Sequence, residues 1–418
     1  MLSNSSRNVQ LIVLKTTFGG IGRAIYWFVG SFIVYALGGE NSNYGDISAI
    51  AGLVGLFAVL FAGAISDKIG KRAWLLYIGI ALETLGFLFF SFANTMVLVL
   101  IGSSIISLSA GFMVISQTTI LADSTSSKEK NQIFAIWFLA ENFAFGIGFL
   151  LAYLTFQNDA TLNLQLLLFA MKIAFVFLLV EFFLSMLVKD KYSVRSVKKP
   201  KEIVQMENEA ENKTFGYKIP VLVTLSGFII SLGAGTSIIF LNRFFQLHYH
   251  LELGTIAFLS SIMIFITAFW GKAMGDIADK FGRVPSIVST QLVATILLFI
   301  LSTYPPLFLG VATLLIRNAF MNASSPVSNA LLTDNVPIYQ RARWSSISSL
   351  GWTTLFSIGN IIGGRIIDLY DFNVAFFITA TLYLIGTLIL LLIKEEDAII
   401  TTPIIYKADS ITPFESLE

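Results

Sequence analysis

Charged side chains set inside apolar runs are the residues of this sequence best placed to do chemistry. Arg23 stands in GGIGRAIYW and Arg317 in TLLIRNAF, while Glu83 (ALETLGF) and Glu141 (FLAENFAF) are carboxylates in similar surroundings. A guanidinium can hold an oxyanion through its fork of N–H donors, and a carboxylate can accept that guanidinium or take up a proton. A lone charge at mid-depth in a bilayer costs about 2.5–3.5 kcal/mol, so each should face a partner or a water-filled cavity. Arg23 and Glu141 fall at similar depth in their runs. Two readings stand side by side: a substrate-anion site at Arg23 with proton coupling through Glu141, or a structural ion pair, with Glu83 as the competing partner.

The run holding Arg317 is the most polar of the long apolar runs. Asn318, Asn322, Ser325 and Asn329 follow i, i+4, i+7, i+11 spacing and share one helix face. Pro326 frees a backbone carbonyl and can kink the helix. Substrate contact by Arg317, Asn318 and Asn322 is the expected role, against interhelical hydrogen bonding as the alternative. Gln117, Asn142 and Asn242 are further cavity candidates with the same alternative. Arg243 and Arg365 stand near run ends, where long side chains snorkel. Lys172 and Glu181, nine residues apart, point to nearly opposite faces and make a poor direct pair. His248 and His250 flank Tyr249, but the chain has no other His and no Cys, so neither a metal site nor a cofactor is expected. There is no G-x-x-x-x-G-K-[ST] loop for a nucleotide and no nucleophile–base constellation, so the chain does not read as an enzyme.

Hydrophobic residues make up 56% of the 418 residues and charged ones 13%, with a mean hydropathy of +0.78. A soluble chain carries about a quarter charged residues, so lipid must solvate much of this one. Net charge +1 argues against a nucleic-acid partner. A helix crossing the hydrocarbon core needs about 20 apolar residues, and backbone groups in lipid must bond within the segment. Twelve such runs are expected. The first six are Thr16–Leu37, Ile47–Ser66, Trp74–Ala93, Met96–Ala122, Ile133–Phe156 and Leu164–Val188. The second six are Ile219–Leu247, Thr255–Gly275, Ser286–Tyr304, Leu307–Leu332, Trp344–Asp368 and Asn373–Ile393. The polar start, Met1 to Gln10, leads into a full-length span with no cleavable signal evident, so that span should be retained. Loop cations gather in the terminal segments and in alternate loops holding Lys68, Lys128, Lys189, Lys280 and Arg341, whereas the opposite loops carry Glu40, Asp46, Asp159, Glu252, Asp368 and Asp371. The positive-inside rule then puts both termini in the cytoplasm of a multi-pass cell-membrane protein.

Between the second and third runs stands GAISDKIGKR, residues 63–72, and the pattern returns as GDIADKFGRV at 275–284, with Asp67 and Asp279 212 residues apart. ILADSTSSKEKNQ aligns in the same way with LLTDNVPIYQRAR, putting Asp123 over Asp334. Residues 145–148 (FGIG) likewise fall over 356–359 (FSIG). The chain reads as a duplication of six helices: an N-terminal bundle (1–188), a cytoplasmic linker (189–217), a C-terminal bundle (218–394) and a cytoplasmic tail (395–418). The linker opens basic and continues acidic, with no apolar face to pack.

These features resemble the major facilitator superfamily of secondary transporters, whose signature loop reads roughly G-x-x-x-D-[RK]-x-G-[RK]-[RK]. Gly63, Asp67, Lys68, Gly70, Lys71 and Arg72 satisfy it, and Gly275, Asp279, Lys280, Gly282 and Arg283 give the second copy. The resemblance covers essentially the whole chain. It implies an all-α membrane protein of twelve transmembrane helices in two pseudo-symmetric six-helix bundles that rock about a central site. It also implies a cavity lined by the first, fourth, seventh and tenth spans, with the third, sixth, ninth and twelfth bracing the outside. The two loop copies would form a cytoplasmic latch, with Lys68, Lys71 and Arg72 offering partners to the facing bundle; a purely topogenic turn is the alternative. Departures leave the subfamily open: Ile106 stands where the fourth span would match Arg317, and Gly146 and Gly148 come without a proline. The implied activity is transport of a small organic solute, anionic or polar, by a monomer, with protons as coupling ion. A drug exporter of the same fold, or a non-transporting receptor or scaffold, are the alternatives.

Overall fold

The computed structural model describes residues 6–69, 72–125, 129–157, 162–189, 217–337 and 340–394, with the backbone alone for 63–69, 130, 131, 272 and 342. The expected linker (apart from Lys189 and Tyr217) and tail, together with Gly70 and Lys71 of the first loop copy, lie outside the described residues. The first six helices are α1 (Arg7–Ala36), α2 (Asn41–Ile69), α3 (Arg72–Ser91), α4 (Met96–Asp123), α5 (Lys130–Thr155) and α6 (Leu164–Ser185). The seventh crossing is broken: α7a (Lys218–Ser237) passes through a 3-10 turn (Ile238–Phe240) into α7b (Leu241–His248). Then come α8 (Leu253–Phe281), α9 (Arg283–Ser302), α10 (Leu307–Asp334), α11 (Arg341–Tyr370) and α12 (Phe372–Leu390). With α7a and α7b taken together, eleven of the twelve are long and apolar enough to cross a bilayer. The other, α11, has 30 residues, about 45 Å at 1.5 Å each, but carries Arg341, Arg343, Arg365, Asp368 and a run of serines. Twelve crossings bring the first and last described residues to one face, called here the terminal face.

Helices run further than expected at several ends. α1 begins at Arg7 rather than Thr16, because Leu11–Leu14 extend the apolar run past Lys15. Lys15, assigned to the polar N-terminal segment from sequence, is fully buried. α2 begins at Asn41, placing Asp46 inside the helix. Both α2 and α8 also run on through the repeated loops to Ile69 and Phe281, so Asp279 and Lys280 stand in the last turn of a helix. Gly282, at φ +89°, makes the turn into α9, a backbone conformation that suits glycine.

Within the first six helices, α1 packs on α5 and α6, α3 on α4 and α6, and α2 on α4; in the second six, α7a packs on α11 and α12, α9 on α10 and α12, and α8 on α10. The α7a–α11 crossing is a close one. A Cβ at Gly235 would collide with the Phe356 carbonyl, and one at Gly363 with the Thr236 carbonyl, the small-residue contact by which helices approach closely in lipid. The two halves meet through α2 against α11 and α5 against α8.

Among the described residues, the bonds between the halves gather toward the face opposite the termini. Arg365 of α11 donates to both oxygens of Asp46 of α2, at 2.7 and 3.1 Å. Asp368 accepts the first two backbone N–H groups of α2, Asn41 at 3.1 Å and Ser42 at 2.8 Å, and the Asn41 amide at 2.8 Å. One half therefore caps a helix start of the other. Arg243 lies 4.3 Å over the Tyr35 ring, and Tyr44 meets Phe240 edge-on. Arg243 and Arg365 thus bridge the halves, where sequence suggested snorkelling. Near mid-depth the Ser261 hydroxyl donates to the Gly146 carbonyl at 3.0 Å.

Candidate functional site

On α1, Lys15, Gly19 and Arg23 recur at every fourth residue and so share a face. Glu181 of α6 lies against that face over Gly19, where a Cβ would fall on its carboxylate. Lys15 Nζ donates to Glu181 Oε1 at 3.0 Å, and Arg23 Nη1 donates to Oε2 at 3.0 Å. Gln117 of α4 accepts from Lys15 at 2.5 Å. On the other side, Arg23 Nη1 donates to the two oxygens of Glu83 of α3, at 3.0 and 3.2 Å. Two cations and two carboxylates form one closed chain of zero formal charge, which is how ionised groups survive burial. Replacing Gly19 by alanine is expected to push Glu181 off its seat and lower stability by about 1–3 kcal/mol, read as the melting temperature of the purified protein.

Exposure divides this chain of charges. Lys15 and Glu181 have side chains at 0%, Glu83 is at 4%, and Arg23 is at 15%. Arg23 and Glu83 border a cavity of about 310 Å³, whose other walls include Tyr26 and Trp27 of α1, Tyr44 of α2, Ser103 and Ser107 of α4, and Thr353, Phe356 and Asn360 of α11. Among the described residues, Arg23 and Glu83 are its only charged wall residues. Trp27, 60% exposed, stands in the wall. A space this size that pairs an ion pair with aromatic walls can hold a small organic solute by one charged end and an apolar body. The wall comes mainly from α1, α2, α4 and α11, with Ile239 at the break in the seventh crossing. α10 supplies none of it.

The pairing expected for Arg23 is corrected by this geometry. Glu141 lies within electrostatic reach of Arg23 but makes no hydrogen bond or ion pair with it, and Arg23 is held by Glu83 and Glu181. From sequence Glu181 is weighed only against Lys172 and Lys15 is not considered, although a lone glutamate amid FLLVEFFLS is a costly residue that asks for a partner. Gln117 serves Lys15 and is absent from the cavity wall. Asn142 donates to the Phe138 carbonyl of its own helix at 2.9 Å. Asn242 is half-buried on α7b beside Arg243. Asn318 donates to Thr267 of α8 at 3.1 Å, while Asn322, Ser325 and Asn329 are exposed along one face of α10. Arg317 turns inward, is 4% exposed, donates to the Tyr383 hydroxyl at 2.5 Å, and has an Nε with no acceptor among the described residues. Lys172 is exposed and lies over the Phe92 ring. His248 stacks on Phe244 and Tyr304, and no group of metal-ligating residues occurs among the described ones.

At the repeated loops, Arg72 pairs with Asp123 of α4, and Arg283 pairs with Asp334 of α10 at 2.7 Å. Each loop arginine ties its own half, bridging the start of one helix to the end of the next, and among the described residues Arg72 makes no bond to the facing bundle. Gly275, Asp279 and Lys280 are exposed, and Lys280 lies over Phe281. The side chains of Gly63, Asp67 and Lys68 fall outside the described residues.

Comparison with known proteins places the chain. Among curated proteins no sequence matches it. Among solved structures it is similar to the nucleoside transporter NupG in its D323A form, with 12% identity and a TM-score of 0.75 over 92% of this chain and 99% of that one. It is similar to a D-xylose-proton symporter, with 16% identity and a TM-score of 0.74 over 91% and 97%. A POT family transporter solved with 5-aminolevulinic acid gives 13% and 0.72 over 94% and 96%. At these identities the likeness is one of fold. The family model described as Major Facilitator Superfamily matches residues 12–272 and 223–404. With twelve helices, a repeated signature loop and that match over nearly its whole length, the chain belongs to the Major Facilitator Superfamily.

Proposed function

We propose that this protein is a secondary transporter that carries a small charged organic solute through the Arg23–Glu83 cavity, exposing the site to the two sides of a membrane in turn and drawing on the proton gradient. The observation that carries the reading is the ion pair bordering a cavity between two halves whose bonds to each other, among the described residues, gather toward one face. A pair with another partner behind it can exchange a contact for a solute without stranding a bare charge. Breaking the α2–α11 clasp and closing the other end would turn the same cavity toward the other side. In this reading the protein is a monomer of the cell membrane, and its terminal face is cytoplasmic, as the loop cations favour.

The test is uptake by proteoliposomes of a metabolite panel under an imposed pH gradient, with and without a protonophore. At least one solute should accumulate against its gradient, the accumulation should collapse with the protonophore, and Arg23→Gln should remove it by about tenfold or more. Facilitated entry that ignores the protonophore would sink the proton-driven reading. A second reading, export of lipophilic cations, is favoured by the apolar aromatic wall of Tyr26, Trp27, Tyr44, Phe90 and Phe356. It requires tetraphenylphosphonium to be moved equally well by the Arg23→Gln protein.

A further inference from the structure

We infer that Glu83 is the proton-binding group of this site and that the solute is an organic monocarboxylate which takes the place of Glu83 on Arg23, so that one carboxylate and one proton cross together with no net charge. The inference rests on the transporter reading above and names its substrate class and its coupling residue.

Charge balance carries the argument. As built, Lys15, Arg23, Glu83 and Glu181 sum to zero, and an added carboxylate would leave a surplus negative charge in a desolvated site. One proton on the network restores the balance. Of the two carboxylates, Glu181 is sealed at 0% exposure and held by Lys15 and Arg23 together, whereas Glu83 borders the cavity and is held by Arg23 alone. When a proton from the cavity water forms an O–H bond on Glu83, the two Nη1–H···O contacts to Glu83 are released. The incoming carboxylate accepts those donors, and Glu181 stays in place and keeps Arg23 aimed. The proton comes from a hydronium ion, whose O–H bond breaks to leave water, and no other covalent bond forms or breaks. Lys15 and Glu181 are positioning residues: they fix which carboxylate can titrate.

The groups facing Glu83 are few. Arg23, Lys15 and Tyr26 come from α1 and Glu181 from α6; Glu141 of α5 lies nearer Arg23; α4 offers the uncharged Ser103 and Gln117. Among the described residues the cavity has a single cation in its wall, Arg23, so a second carboxylate on the solute would find no partner among them. Its aromatic walls suit an apolar body.

The sign of the pH effect follows. Only the protein protonated at Glu83 binds the carboxylate. Above the Glu83 titration its protonated fraction falls with rising pH, and the apparent Kd of the acid weakens by about tenfold per pH unit. The test uses matched phenylalkyl and linear-alkyl carboxylates, amines and alcohols, with melting temperature as the binding readout on detergent-purified protein and proton uptake followed in weak buffer. The carboxylates alone should stabilise, more strongly at low pH, each taking up one proton per site. In Glu83→Gln, carboxylate binding should persist with no pH dependence and no proton uptake, and Glu141→Gln should behave as the wild type. Arg23→Gln/Glu83→Gln, which restores zero charge and so guards against a misfolded single variant, should fold and bind no carboxylate. Stabilisation by the amines or alcohols, by no member of the series, or proton uptake that survives Glu83→Gln and vanishes in Glu141→Gln overturns the inference. Proton-linked binding without flux in vesicles would defeat the transporter reading and leave Glu83 standing; carboxylate flux indifferent to Glu83→Gln would do the reverse.

Discussion

Replacing Glu181 by alanine is expected to destabilise the protein by about 3–5 kcal/mol, the range for removing one partner of a buried ion pair. Lys15 Nζ would keep only the Gln117 oxygen, with its charge still at zero exposure, and Arg23 would keep only Glu83. Lys15 cannot reach water by turning, because it is enclosed. The reading is the melting temperature in detergent and the yield of monodisperse protein. The double variant Lys15→Met/Glu181→Leu removes both members and leaves Arg23 with Glu83, so it should recover most of the loss. A Glu181→Ala protein as stable as the parent would mean that water enters this space and carries the charges, and the closed-network description would fall.

Truncating Phe244 to alanine should cost about 3–5 kcal/mol, the range for emptying a large aromatic site. Phe244 is fully buried and touches Phe245, His248, Tyr249, Tyr304, Phe372 and Phe376, with ring centroids 4.8–5.7 Å apart. In a bilayer the reference state is already apolar, so the loss comes from forfeited dispersion contacts and the cavity rather than from water. Phe244 closes the end of the second half where α7b, the α9–α10 loop and α12 meet. Phe244→Leu, which refills part of the volume, should recover part of the loss in the same melting experiment. Equal melting temperatures for the alanine variant and the parent would show that the neighbours collapse into the space.

The helices and their duplication were legible because a bilayer imposes a length and apolarity that a sequence displays directly. The match of Asp123 with Asp334 was readable too, and the two aspartates do receive equivalent arginines. That those arginines come from the same half was not readable, since a loop carries no direction. Arg23 stood out as a lone charge, but its partner was chosen by depth alone, and depth does not give azimuth. Glu181 shows the limit most clearly. α6 is apolar all round, so its sequence has no phase to say which side meets α1. The resemblance, which sets the sixth span on the outside, draws attention away from it. Lys15, Gly19 and Arg23 had the opposite property: their spacing displays a common face, which an apolar-run boundary at Thr16 cut in two. The polar stripe of α10 was readable as a stripe; that Arg317 turns away from it toward Tyr383 depends on α12 packing, which no local pattern encodes.

The clasp in which Asp368 receives the start of α2 has a consequence for how this protein tolerates variation. Two of its three donors are main-chain amides, of positions 41 and 42, which every amino acid except proline supplies; the third is the Asn41 side chain. The acceptor is one particular side chain. The halves are thus joined by a lock whose keyhole is nearly immune to mutation and whose key is a single carboxylate. Substitutions at positions 41 and 42 other than proline keep these two main-chain donors, whereas any loss of the carboxylate at 368 removes the acceptor.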